Sequence, residues 1–272
     1  MRTQLPGALI AVAALAVLPL SVKPTAGQVR AHKAPRTADG KPDLNGIWQT
    51  MGTAHWDIEG HVARQGPVLA LGAVGAVPGG MGVVEGGEIP YHPWAAEKKK
   101  ENAKNWLSAD PEIKCYLPGV PRATYMPFPF QIVQTPKYVL MAYEFATASR
   151  VIHMDNPNFE SPIDTWMGHS RGRWEGETLV VDVTSFNGQT WLDRAGNFHS
   201  DALHVVERYT AISPDALWYE VSIEDPKVFT RPWKMRMPLY RRLEKNLQLV
   251  EFRCVEFVEE LIYGHLRKKS SK

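Results

Sequence analysis

Between residues 131 and 254, apolar side chains recur at alternate positions in short runs, and turn-forming residues separate the runs. That is the period of a strand with a buried face. Runs at 131–135 and 137–143 are divided by Pro136, and others follow at 149–154, 178–184, 203–211, 217–223, 228–237 and 247–254. Ser213-Pro214-Asp215 and Glu244-Lys245-Asn246 suit the turns between them. Such a succession of strands, with no long helix interposed, predicts a mainly β fold laid out as an antiparallel meander. Leu217, Tyr219, Val221 and Ile223 share one strand face, while Trp218 stands among Glu220, Ser222 and Glu224 on the other. Several strands carry apolar residues on both faces. A sheet closed into a barrel with a lined interior accommodates this better than an open sheet.

Upstream of residue 131 the pattern differs. Pro42-Asp43-Leu44-Asn45-Gly46-Ile47-Trp48 places a turn before a first apolar strand, and 66–87 is a loop of glycine, alanine and valine. Pro93 fits the first turn of a short N-terminal helix reaching about Trp106, which Asp110-Pro111 stops. Pro118, Pro121, Pro127 and Pro129 then keep the chain stiff and extended. Residues 255–266 read as a terminal helix. The expected organisation is a leader over 1–27, an N-terminal extension over 28–110 and the barrel over 111–272.

The leader changes the picture most. Arg2 precedes an apolar run over 8–20, and small residues follow at Thr25-Ala26-Gly27, the layout of a secretory signal peptide. A periplasmic or secreted protein without a stable membrane anchor is expected. Export permits a bridge between Cys115 and Cys254, although spacing alone does not decide it. The formal net charge of +2 and the scattered basic residues argue against nucleic acid as a partner.

Asn45-Gly46-Ile47-Trp48 is similar to the Gly-x-Trp opening strand of lipocalin-like (calycin) barrels. A broader resemblance, to a group of uncharacterised secreted bacterial proteins, rests on several motifs. They are Pro118-Gly119-Val120-Pro121-Arg122, Gly172-x-Trp174-Glu175-Gly176, Thr190-Trp191-Leu192-Asp193, His199-Ser200-Asp201-Ala202-Leu203-His204 and Glu224-Asp225-Pro226. It implies a lipocalin-like barrel and names no activity. Where the group carries an aspartate in its Trp-Met-Gly-x-Ser stretch, this chain has His169.

Candidate chemistry concentrates at 197–210, where His199, Asp201, His204 and Glu207 lie on a turn entering a strand. A histidine beside a carboxylate exchanges protons near neutrality. Strand alternation separates His204 from Glu207. The expectation is His204 inside the barrel as the catalytic residue, with His199 or Asp201 reaching it from the rim. The alternative is a buried histidine satisfied by backbone carbonyls. Arg122, Tyr125, Tyr143, Arg150 and His153 are candidate substrate-binding residues, as planar cations, hydroxyl donors or imidazole.

The expected function is an exported, cofactor-free enzyme. It would use acid/base chemistry of the lyase, dehydratase or ether-cleaving kind on a small aromatic or apolar oxygenated compound. A lipocalin-like carrier of such a compound is the first alternative. A metal-dependent hydrolase or oxidoreductase is the second, with a transition metal held by His199, His204 and a carboxylate and with His153 or His169 as a third nitrogen ligand. Oligomeric state is open.

Overall fold

The computed structural model describes residues 32–156 and 161–267. The leader expected over 1–27 lies outside the described residues. Nine strands close into a barrel: β1 (Gly46–Gln49), β2 (Phe130–Gln134), β3 (Tyr138–Tyr143), β4 (Ser149–His153), β5 (His169–Glu175), β6 (Thr178–Thr184), β7 (His204–Ser213), β8 (Ala216–Glu224) and β9 (Trp233–Arg241). Closure runs through β1, where Trp48 pairs with Arg241 of β9 on one side and with Phe130 of β2 on the other.

The barrel is mixed, which corrects the expected pure meander. β4 and β5 run parallel, so no tight hairpin can join them. The alternation of β5 was hard to see because its inward positions are Ser170, Gly172 and Trp174, and the first two are small. Gly172 has to stay small, since a Cβ there would run into Met154 and Ile152. The strand expected at 247–254 is absent. After β9 the chain leaves the sheet as an exposed arm, which ends in a short helix over Val258–Tyr263.

Inward residues follow the alternation. Val139, Met141 and Tyr143 of β3, Leu179, Val181 and Val183 of β6, and Leu217, Tyr219, Val221 and Ile223 of β8 form the core. The hairpins β2–β3, β5–β6 and β7–β8 turn at one end of the barrel. The other end carries the long connections, residues 50–129, 185–203 and 225–232, packed as a cap. The cap includes α1 (Pro93–Lys104), α2 (Trp106–Ala109) and α3 (Arg122–Tyr125). A disulfide joins Cys115 in the cap to Cys254 in the arm, with 5.7 Å between their Cα atoms.

Candidate functional site

β7 presents Val205, Glu207, Tyr209 and Ala211 to the interior, and His204, Val206, Arg208 and Thr210 lie on the outer wall. His204 is therefore outside, the reverse of the expectation. Turning the strand over would bury Arg208 and expose Tyr209 and Ala211, and the apolar set decides. On the outer wall His204 Nε2 meets Asp182 Oδ2 at 2.9 Å, and Arg171 holds the other oxygen of Asp182 at 2.7 Å. The hydrogen bond raises the His204 pKa, and it lowers that of Asp182 to about 2.

His199 is buried elsewhere. Its Nε2 meets the Thr190 hydroxyl at 2.6 Å and its Nδ1 meets the Ser200 carbonyl at 2.8 Å, and burial lowers its pKa. Asp201 is on the surface with Lys227. Thus the three residues expected to share a catalytic site each have different partners. The His204–Asp182 pair is half-exposed and worth about 1 kcal/mol or less. His204→Ala is expected to leave thermal unfolding within a few degrees of wild type.

The candidate binding residues divide into two buried clusters. Tyr143 and Arg150 enter the lumen, where Arg150 Nη2 lies 2.7 Å from Glu207 Oε2. The other oxygen of Glu207 accepts from Tyr209 at 2.8 Å and from Tyr219 at 2.6 Å. Burial raises the pKa of Tyr143, Tyr209 and Tyr219, so all three stay protonated donors. The lumen is filled by these side chains. His153 sits at the end of β4, its ring 5.4 Å from that of Tyr138 and 5.2 Å from that of His169.

The second cluster lies in the cap. Arg122 binds both oxygens of Asp110 at 2.8 Å and approaches Glu112 at 3.2 Å. Glu112 is also clasped by Arg194, through Nε at 2.6 Å and Nη2 at 2.8 Å, and Arg194 Nη1 reaches Glu259 of the arm at 3.0 Å. The Arg194 guanidinium lies over Trp56 and Trp106, 4.6 and 5.2 Å from their ring centres. Burial pushes the Glu112 carboxyl up, but Arg194 and Arg122 outweigh it and hold it ionised. Tyr125 is buried nearby and donates to the Leu192 carbonyl at 2.7 Å. Arg122 and Tyr125 thus brace the cap.

Above this ionic layer a cavity of about 290 Å³ opens between the cap and the arm. Phe128, Phe145, Phe252 and Phe257 supply aromatic walls, and His55, Glu112 and Arg194 form the polar end. Phe252 packs on Phe128 and Phe145 at 5.0 and 4.9 Å. His55 is buried, its Nδ1 has no hydrogen-bond partner among the described residues, and its backbone carbonyl accepts from Arg194 N. Burial, aided by the Arg194 charge, lowers its pKa to about 4, so the imidazole is neutral at ordinary pH. None of His55, Glu112 and Arg194 stood out in the sequence. Arg194 directly follows the Thr190–Asp193 motif, and His55 sits in a run of mixed polar and aromatic residues with no strand period.

Asp193 adjoins this layer. Its carboxyl accepts from Ile58 N at 3.0 Å and from Asn197 Nδ2 at 2.6 Å. Burial, then the charge of Asp57, raises its pKa to about 7. Between its unfolded value of 3.8 and about 7, the folded protein holds a proton that the unfolded chain has released. The stability this group contributes is therefore complete below that window and is lost as pH rises through it. Urea unfolding of Asp193→Asn is expected to depend less on pH between 4 and 8 than that of wild type.

Among the described residues no group of three or more His, Cys, Asp or Glu is placed to hold a metal ion, and no helix is long and apolar enough to cross a membrane. No protein-family model matches the chain, and no curated protein is detectably similar to it in sequence.

Proposed function

We propose that this protein is an exported, lipocalin-like binding protein whose ligand is a small neutral aromatic compound bearing a hydroxyl or carbonyl oxygen. The observation that carries this reading is the partnerless, neutral His55 Nδ1 in a cavity walled by four phenylalanines. A concave apolar site with a few convergent polar groups is the usual form of a small-molecule site. The volume suits one or two aromatic rings. The ligand occupies the capped end, because side chains fill the lumen that a lipocalin would use.

Charge bookkeeping selects a neutral ligand. Arg194 looks like a carboxylate receptor, yet all three of its nitrogens already donate to Glu112 or Glu259. Asp110 and Glu112 balance Arg122 and Arg194, Arg253 pairs with Glu251, and Glu259 and Glu260 add negative charge to the lining, so a bound carboxylate would meet no unmatched cation. Burying an unpaired charge costs several kcal/mol. His55 has hydrogen-bonding capacity left for a hydroxyl or carbonyl oxygen.

Isothermal titration with acetophenone, 2-phenylethanol and benzoate tests this. The two neutral compounds are expected to bind at least about tenfold more tightly than benzoate. His55→Leu is expected to weaken them about fivefold, the worth of one hydrogen bond. Affinity should be flat above about pH 5 and should change only as His55 protonates near its pKa of about 4. Equal affinity for benzoate, or indifference to His55→Leu, counts against the reading.

A second reading, acid/base turnover, is favoured by the His204–Asp182 hydrogen bond. It would place the chemistry on the outer wall, with neither His199 nor Asp201 as a partner of His204. Retained turnover of any converted compound by His204→Ala would remove it.

A further inference from the structure

β4 and β5 are joined by only two residue pairs, Ile152 with Ser170 and His153 with Arg171. Toward the capped end, Ser149–Val151 and Met167–His169 share no ladder, and a cavity of about 380 Å³ opens between them in the barrel wall. Leu117, Trp166 and Met167 give it apolar surface, and the Trp166 ring lies 5.0 Å from that of Tyr116.

Two inward side chains stand at this seam, one on each strand. Arg150 is 3% exposed; its Nη2 meets Glu207, Tyr209 and the Met141 sulfur, and Tyr143 also packs against the guanidinium. Its Nε and Nη1 have no acceptor among the described residues, and the buried Ser170 hydroxyl has no partner there either. A buried donor left unmet costs about 1–3 kcal/mol, so three at one opening form an expensive cluster. An oxygen acceptor arriving through the seam is their natural complement.

Glu207 already balances the Arg150 charge, and a second carboxylate would enter a low-dielectric interior unmatched. The acceptor is therefore neutral, and the flat apolar surface around Trp166 suits a planar body behind it. We propose that the β4–β5 seam is a second binding site, for a planar neutral carbonyl compound of the amide or ketone type whose oxygen is received by Arg150 and Ser170. This site is separate from the cavity under the arm.

The test is amide chemical-shift mapping of ¹⁵N-labelled protein titrated with benzamide or with benzoate. Benzamide is expected to shift the amides of 149–151 and 167–170, with benzoate at least about tenfold weaker. Ser170→Ala is expected to weaken benzamide about fivefold at the seam. Ser149→Trp, at the exposed rim, is expected to abolish the seam response while the thermal midpoint stays unchanged. It leaves any response at Phe128 and Phe252 intact, which separates this proposal from the arm cavity. Benzoate binding as strongly as benzamide, a seam response unaffected by both variants, or shifts confined to the arm cavity would overturn it.

Discussion

Arg122→Met is expected to cost about 3–5 kcal/mol, a large part of the 5–15 kcal/mol by which a domain of this kind is stable. The reason is the group it leaves behind. Asp110 is fully buried, and Arg122 is its cation, binding both of its oxygens. Glu112 would keep Arg194, but Asp110 would be stranded in the interior. A buried carboxylate without its cation must either stay charged at high cost or take up a proton. Equilibrium urea unfolding checks this. Asp110→Asn combined with Arg122→Met should recover part of the loss, because it removes the stranded charge. A single variant within 1 kcal/mol of wild type in urea would mean that Arg122 does not brace the cap.

Cys254→Ser is expected to have the second large effect. The bridge closes a loop with a sequence separation of 139 residues, for which the chain-entropy account allows about 5 kcal/mol and measured losses run about 2–5 kcal/mol. The arm has little else to hold it. Beyond β9 it pairs with no strand, and its contacts include Val250 N to Glu144 of the β3–β4 connection and, in the cap, Phe257 N to Ile113 O and Glu259 to Arg194. Freeing the arm takes Phe252 and Phe257 away from the cavity. Ligand binding should therefore disappear at temperatures where the barrel strands still give their far-ultraviolet circular dichroism. Cys115→Ser should behave alike. Undiminished acetophenone binding by either variant, or by the reduced protein, would separate the cavity from the arm.

The fold was legible where alternation was strong. β7 and β8 alternate along their length, and the inward set of β8 is Leu217, Tyr219, Val221 and Ile223 as the pattern indicated. In β7 the pattern offered two faces, and the presence of an imidazole was a poorer guide than the apolar count of the whole strand. Val205, Tyr209 and Ala211 carry Glu207 inward with them, and its desolvation is met by Arg150 and two tyrosines. β5 stayed hidden because its inward Ser170 and Gly172 are small, and at Gly172 the room for a side chain is taken by Ile152 and Met154, which are distant in sequence.

The candidate site was less legible than the barrel for a physical reason. Tyr143 and Arg150 were singled out as polar residues of strands, and they do meet, in the lumen. Arg122 and Asp110 are 12 residues apart, but the pairing of Glu112 with Arg194 spans 82 residues. No spacing rule connects groups brought together by a cap and an arm. His55, which carries the proposed recognition, lies in a segment with no regular period at all.

Photocrosslinking with benzophenone tests the central claim most directly, because this neutral aryl ketone is both a probe of the proposed class and a label for what lies beside it. Irradiation followed by peptide mapping is predicted to place the adduct on residues lining the cavity, Leu107, Ile113, Val255, Phe257 and Val258 foremost, with acetophenone competing. Label on the lumen strands or the outer wall, or label that acetophenone does not displace, would contradict the account.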